Sequence, residues 1–175
     1  RQQSTDSQAV LDYLDKSEAA GGQLLNLIEK VLEISWTESN DVTITEAECN
    51  LGDIIEDVHT SLLPQASEKD ITFSLDIQGI AHHDIFSDAD KLRQVLLYLA
   101  NNAVTYTNFG GKVELIAKEL ESLPNHYSVY QFTVSDNGIG MSKDFIAHIF
   151  EPFERENNTT FSGIHGTGLS LAIAK

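Results

Sequence analysis

Cysteine is almost missing from this 175-residue chain. Cys49 stands alone, so no internal disulfide and no cysteine-rich zinc site can form, and a reducing, cytoplasmic setting fits. Basic residues are also scarce. Eleven Lys and Arg face 27 Asp and Glu, a formal charge of −16, which disfavours nucleic acid or an anionic membrane surface as partner. A small anion stays possible, because backbone N–H groups, a helix dipole and Mg²⁺ can hold one. Long apolar runs are missing too: the longest is about six residues, against the roughly 20 needed to cross a bilayer. No signal peptide is visible, and the abrupt beginning and end read as those of an excised fragment, any membrane anchor lying upstream. There is no Walker loop, no dinucleotide fingerprint and no internal repeat. What is present is a hydrophobic fraction of 41%, that of a soluble globular protein, in a length suited to one well-cored domain plus an appendage.

The appendage comes first. Val10, Leu14, Ser17, Gly21, Leu24, Ile28, Val31 and Ser35 follow a 4-3 alternation that predicts one amphipathic helix over about 7–37, weakened at Gly21-Gly22. Such a helix, roughly 45 Å long at 1.5 Å per residue, needs a helical partner. After Asn40-Asp41 the pattern shortens. Strands are expected at 42–47, 71–77, 112–118 and 127–135, the last two as a hairpin, and helices at 51–67, 87–105, 142–149 and from about 169. The order predicts an α+β fold, a two-layer α/β sandwich with helices covering a mixed sheet, preceded by the long helix. The expected division is 1–40 and 41–175.

The strongest helix carries the segment Tyr98-Leu-Ala-Asn-Asn-Ala-Val-Thr105. On a wheel centred on Leu92, Val95, Leu96, Leu99 and Ala103, Asn101 points about 180° from the core, whereas Asn102 lies about 80° away, beside Tyr98 and Thr105. Asn102 therefore lines whatever cleft borders this helix, unless both amides are simply surface residues near a helix end.

Two glycine stretches follow. Asp136-Asn-Gly-Ile-Gly-Met141 directly succeeds a strand, placing a carboxylate beside backbone that a ligand can approach closely. A plain hairpin-like turn is the other reading. Gly163-Ile-His-Gly-Thr-Gly-Leu169 precedes the last helix, where free N–H groups and the helix dipole suit an anion, although a flexible loop would carry the same residues. Between them, Phe150, Pro152 and Phe153 suit the base of a mobile polar loop.

The boxes NNAVTYT, DNGIGM, IFEPFER and GIHGTGLSLAIAK, in this order and spacing, resemble the ATP-binding catalytic domain of bacterial sensor histidine kinases of two-component systems. That domain is one branch of a wider ATPase group that includes DNA gyrase B, MutL and heat-shock chaperones. The resemblance covers nearly the whole chain, 1–40 being similar to the second helix of the dimerisation and phosphotransfer hairpin. It implies that Asn102 ligates Mg²⁺ on the phosphates and is the catalytic asparagine, that Tyr106 packs by adenine, and that Asp136 accepts a hydrogen bond from the adenine amino group. It further implies that Gly138 and Gly140 let the backbone approach base and ribose. Gly166, Thr167, Gly168 and Leu169 would hold phosphate oxygens, 154–166 would form a lid hinged at Phe150 and Phe153, and Arg155 would either swing onto the phosphates or stay a solvated lid charge. The implied reaction moves the ATP γ-phosphoryl to a histidine outside this fragment and onward to an aspartate of a response regulator receiver domain. The intact protein would dimerise through the first helix, with no nucleic-acid or membrane contact by this fragment.

The sequence departs from the family pattern in four respects. No acceptor histidine motif surrounds His59, His82, His83, His126, His148 or His165; His82-His83 reads as a loop pair and His165 as a lid residue. Tyr98 stands where the kinases carry an asparagine and the hydrolysing relatives a glutamate, which argues against a hydrolase. Thr105 replaces a common lysine near the phosphates, and Ser170 a common glycine. The chain ends inside its last helix, so the strands that normally close the sheet are expected to be absent or to belong to sequence beyond it. Two other readings therefore stand beside the kinase: a degenerate nucleotide-binding regulatory module, and an anti-sigma-type serine kinase.

Overall fold

A computed structural model describes residues 43–123, 127–156 and 167–175, together with 13, 14, 16–18, 20–22, 24, 25, 28, 31 and 32. The chain divides into two compact units, Arg1–Val42 and Thr43–Lys175. In the first, the described residues are helical, and Leu14, Leu24, Ile28 and Val31 of the apolar stripe are all exposed.

The second unit is α+β. Its elements in order are β1 (Ala47–Asn50), α1 (Leu51–Glu68), β2 (Thr72–Gly79), β3 (Asp84–Ser87), α2 (Ala89–Tyr106), β4 (Lys112–Leu123), β5 (Tyr127–Asp136), α3 (Lys143–Ile146) and α4 (Ser170–Ala174). A mixed sheet has the order β2-β4-β5, with β2 parallel and β5 antiparallel to β4; β1 and β3 form a separate antiparallel pair. The parallel β2–β4 pairing requires a crossover, and α2 supplies it.

One face of the mixed sheet is covered by α1 and α2. Val113, Leu115 and Ala117 alternate along β4 as a half-buried strand must, and meet Ile55, Val58 and Leu62 of α1 and Leu96, Ala100 and Val104 of α2. The two helices run in the same direction: Arg93 pairs with Asp57 at 3.1 Å near their starts, and Gln65 Nε2 donates to Thr105 Oγ1 at 3.3 Å near their ends.

Local chemistry explains the helix boundaries. Asn50 caps α1 through Asp53 N–H at 3.2 Å, and Asp88 caps α2 through Lys91 N–H at 3.0 Å. At its far end α1 closes in a Schellman motif: Ile71 N–H donates to Ala66 O at 2.8 Å and Asp70 N–H to Ser67 O at 3.0 Å. The motif needs a left-handed residue, and Asp70 takes that role at φ 52°.

Three expectations shift. The first strand is Ala47–Asn50, not 42–47, because its partner is β3; Thr45 N–H donates instead to Asp88 Oδ2 at 2.9 Å. Strand β3, four residues long, is too short to show a period in the sequence. Finally, the buried arc of α2 is centred on Leu96, Ala100, Ala103 and Val104, about 70° around the helix from the expected centre.

Candidate functional site

That rotation decides what α2 presents. With the core on the Ala100–Val104 side, Leu99, Asn102 and Tyr106 follow each other at helical spacing along an adjoining face, where they border a cavity of about 310 Å³. Asn101 does not line it. The wheel's argument for Asn102, its nearness to the core, does not hold on the observed arc; Asn102 borders the cavity because it shares a face with Leu99, which belongs to the cavity wall and not to the core centre.

The sheet contributes Val134 and Asp136 from the end of β5, and the loop after it adds Ile139, Gly140 and Met141. Asp136 Oδ1 accepts the N–H of Gly138 at 2.9 Å, an Asx turn that folds the loop back toward α2. Ile139 N–H then donates to Tyr106 O at 3.2 Å. Gly138 does not line the cavity but sets its shape: a Cβ there would lie 2.3 Å from Tyr106 O. Gly140 does line it, with φ 67°, a conformation suited to glycine. Asn137 turns away to β4, its Oδ1 accepting Lys112 N–H at 2.7 Å.

The opposite wall comes from the phenylalanine segment and the C-terminal glycine stretch. Phe145 on α3 and Phe150 reach the cavity, whereas Phe153 is exposed and held at φ 67°, its N–H donating to Gly168 O at 3.0 Å. Gly168 lies so close to Phe153 and Glu154 that a Cβ would stand 2.7 Å from backbone atoms of both. Thr167, Gly168 and Ser170 border the cavity. Leu169 does not: its side chain is fully buried and its N–H donates to Thr167 Oγ1 at 3.3 Å, so that N–H is already engaged. Gly166, His165 and most of the expected lid lie outside the described residues.

Two departures noted in the sequence fall elsewhere. Thr105 faces Gln65 of α1, not the cavity, and Tyr98 meets Gln94 Nε2 at 3.5 Å on its own helix. His82 and His83 are indeed in a loop, where His82 Nδ1 lies 2.8 Å from the buried carboxylate of Glu119. Sequence reasoning missed Leu99, Val134 and Phe145 as lining residues; Leu99 was legible from its spacing to Asn102 and Tyr106, the others only from the fold.

An amide, a carboxylate at a strand end and two glycine loops thus converge on one cavity of ligand size. The family model described as histidine kinase-, DNA gyrase B- and HSP90-like ATPase matches residues 87–175, the half of the chain that builds this cavity. The chain belongs to that family.

Relatives within it include hybrid signal transduction histidine kinase C of Dictyostelium discoideum, 34% identical over 94% of this chain and 13% of its own length. Sensor protein GacS of Pseudomonas syringae pv. syringae is 30% identical over 94% of this chain and 18% of its own length. The chain therefore spans less than a quarter of these relatives, and family membership does not restrict its source to bacteria. Full-length ShkA, solved in complex with AMPPNP, superposes with a TM-score of 0.73 at 29% identity, covering 88% of this chain and 30% of that one. Acinetobacter baumannii histidine kinase AdeS shares the fold, with a TM-score of 0.66 at 20% identity over 86% of this chain and 64% of that one. Among the described residues, no helix is long and apolar enough to cross a membrane.

Proposed function

We propose that this chain is the ATP-binding catalytic portion of a two-component sensor histidine kinase. The observation that carries the reading is the convergence of Asn102, Tyr106, Asp136, Gly140, Thr167 and Gly168 on one cavity. Leu99, Val134, Ile139 and Phe145 give it apolar walls for a flat base. Asp136 keeps a carboxylate oxygen beyond the one that accepts Gly138 N–H, and it accepts a hydrogen bond from the adenine amino group, selecting ATP over GTP. Gly166 and the N–H groups near Thr167 and Gly168 hold phosphate oxygens.

The donor set suits Mg²⁺. Among the described residues no cluster of His, Cys, Asp and Glu forms an all-protein metal cage. Mg²⁺ prefers one or two protein oxygens together with waters and substrate phosphates, and the Asn102 amide oxygen suffices. When bound, Mg²⁺ neutralises phosphate charge. That matters where Asp136, Glu154 and Glu156 line the cavity and Arg155 is the basic residue beside them. The protein's share of the rate is positioning.

In the intact protein the γ-phosphoryl passes to a histidine on a helical hairpin and then to an aspartate of a response regulator receiver domain. Residues 1–40 supply the second helix of that hairpin, and their exposed apolar stripe suits burial in a homodimer. Reading the chain as a degenerate module rested on Tyr98 and Thr105; neither lines the cavity.

The test titrates the chain calorimetrically with ATP and GTP, with and without Mg²⁺. It then adds labelled ATP and a hairpin bearing the acceptor histidine. Tight Mg²⁺-dependent ATP binding with acid-labile, alkali-stable label on the hairpin is expected. Binding without label leaves the degenerate module, acid-stable label points to a serine kinase, and no binding overturns the nucleotide site.

A further inference from the structure

The end of α2 that carries Asn102 and Tyr106 has a capping problem that its own sequence does not solve. The last turn holds no basic residue, and a helix leaves its final carbonyls without intrahelical donors. Each of them is nevertheless satisfied. Ala103 O keeps the ordinary i→i+4 bond from the N–H of the C-cap residue Thr107 at 3.0 Å, and Tyr106 O accepts Ile139 N–H at 3.2 Å. The rest depend on one side chain from elsewhere: Lys69 Nζ donates to Val104 O at 3.0 Å, Thr105 O at 2.6 Å and Thr107 O at 3.2 Å. An ammonium has three donors, and these three carbonyls use them all.

Lys69 is itself the C-cap residue of α1, so the ammonium is launched from a fixed backbone. Its own carbonyl accepts Gly110 N–H at 2.9 Å, fastening the turn between α2 and β4. From that turn Lys112 O accepts Asn137 N–H at 3.2 Å, which leads to the loop of Asp136 and Gly140. One residue thus joins the ends of both helices to the start of β4, and the cavity walls made by Asn102, Tyr106 and Asp136 hang from that junction. Lys69 does not line the cavity.

We infer that Lys69 is a positioning residue for the nucleotide site: its ammonium holds the last turn of α2, and so Asn102 and Tyr106, in register with Asp136. This rests on the nucleotide reading of the cavity. The charge also opposes the negative end of the α2 dipole, which a neutral substitute of the same length cannot do.

The experiment compares ATP·Mg²⁺ affinity, by calorimetry well below the melting temperature, in the unsubstituted chain, Lys69→Met, Lys69→Arg and Val58→Ala. Val58 is a buried core residue of α1 that does not line the cavity, so its truncation reports the effect of lost stability. Lys69→Met is expected to weaken binding by about tenfold or more, because displacing a positioned group by a fraction of an ångström carries such costs. Lys69→Arg should restore affinity to within about threefold, since guanidinium keeps the charge and the donors. Val58→Ala should lower the melting temperature with affinity unchanged. Affinity in Lys69→Met within about twofold of the unsubstituted chain, or an equal loss in Val58→Ala, overturns the inference while leaving the nucleotide site intact. Failure of the unsubstituted chain to bind ATP refutes the site, and this inference with it. Should Lys69→Met not fold, Lys69→Gln, with two donors on a shorter stem, is judged by the same thresholds.

Discussion

Gly138→Ala isolates the contact on which the cavity's shape depends. The glycine is not needed for a left-handed backbone here, since the positive-φ glycines are Gly110, Gly140 and Gly168. Its requirement is steric. A Cβ at 138 would stand 2.3 Å from Tyr106 O, 2.8 Å from Tyr106 C and 2.9 Å from Asp136 Oδ1. Two of these are backbone atoms of the residue whose carbonyl accepts Ile139 N–H. Relief therefore requires the loop and the end of α2 to separate by about 1 Å, at an overpacking cost of about 2 kcal/mol. In a chain of this length that corresponds to a melting temperature lower by about 4–8 °C. The same movement parts Asp136 from Tyr106, and ATP affinity should fall by about tenfold or more, because misplacement on this scale is costly for a bound group. Differential scanning calorimetry and ATP titration of one preparation measure both. A Gly138→Ala protein that melts within 1–2 °C of the parent (about the resolution of such a scan) and binds ATP equally would show that the loop does not rest on α2 as described. Gly140→Ala provides the contrast: nothing lies within 4 Å of its Cβ position, so only the left-handed φ of 67° is penalised, and Gly140→Asn should be tolerated better than Gly140→Val.

Other expectations concern single side chains. Asn102→Ala should abolish the Mg²⁺-dependent part of nucleotide affinity while Asn101→Ala leaves it nearly unchanged; equal losses in titrations with and without Mg²⁺ would contradict the assignment of Asn102 to the cavity. Thr107 is 2% exposed and its Oγ1 has no hydrogen-bond partner among the described residues, so Thr107→Val should stabilise the fold by about 1 kcal/mol in chemical denaturation, and a loss would reveal a hidden partner. Asp70→Gly should gain about 0.5 kcal/mol by relieving the left-handed Schellman position, read from the same denaturation curves. Asp88 accepts the N–H groups of Lys91 and Thr45, which hold its carboxyl below the usual aspartate range. Its contribution is present above the unfolded pKa and is lost as pH falls through the lower folded one, so Asp88→Asn should flatten the acid limb of a stability–pH profile below about pH 4. His148 titrates the other way: the Glu151 carboxylate at 2.8 Å raises its pKa, so that contribution is lost as pH rises through the raised value, and Glu151→Gln should remove it.

Much of this molecule is written in short stretches. Asp88 and Asn50 cap helices through N–H groups three residues on, and the alternation of Val113, Leu115 and Ala117 needs only the strand's own period of two. The four boxes that identify the family are local as well, and glycine at 138, 140 and 168 is legible because close approach or left-handed backbone restricts the residue type. The face that α2 buries was not legible. Leu99 and Ala100 are both apolar, and which of them meets the core depends on where α1 and the sheet lie. Thr105 occupies the position of a common lysine near the phosphates, yet its hydroxyl accepts from Gln65, 40 positions away. The capping of α2 by Lys69 belongs to the same class: an ammonium 35 to 38 residues from its three carbonyl acceptors leaves no periodic trace. Sequence determines which groups need a hydrogen bond or a dry face. Only the packed chain decides which distant residue supplies it, because that choice is made by distances that exist once α1, α2 and the sheet have come together.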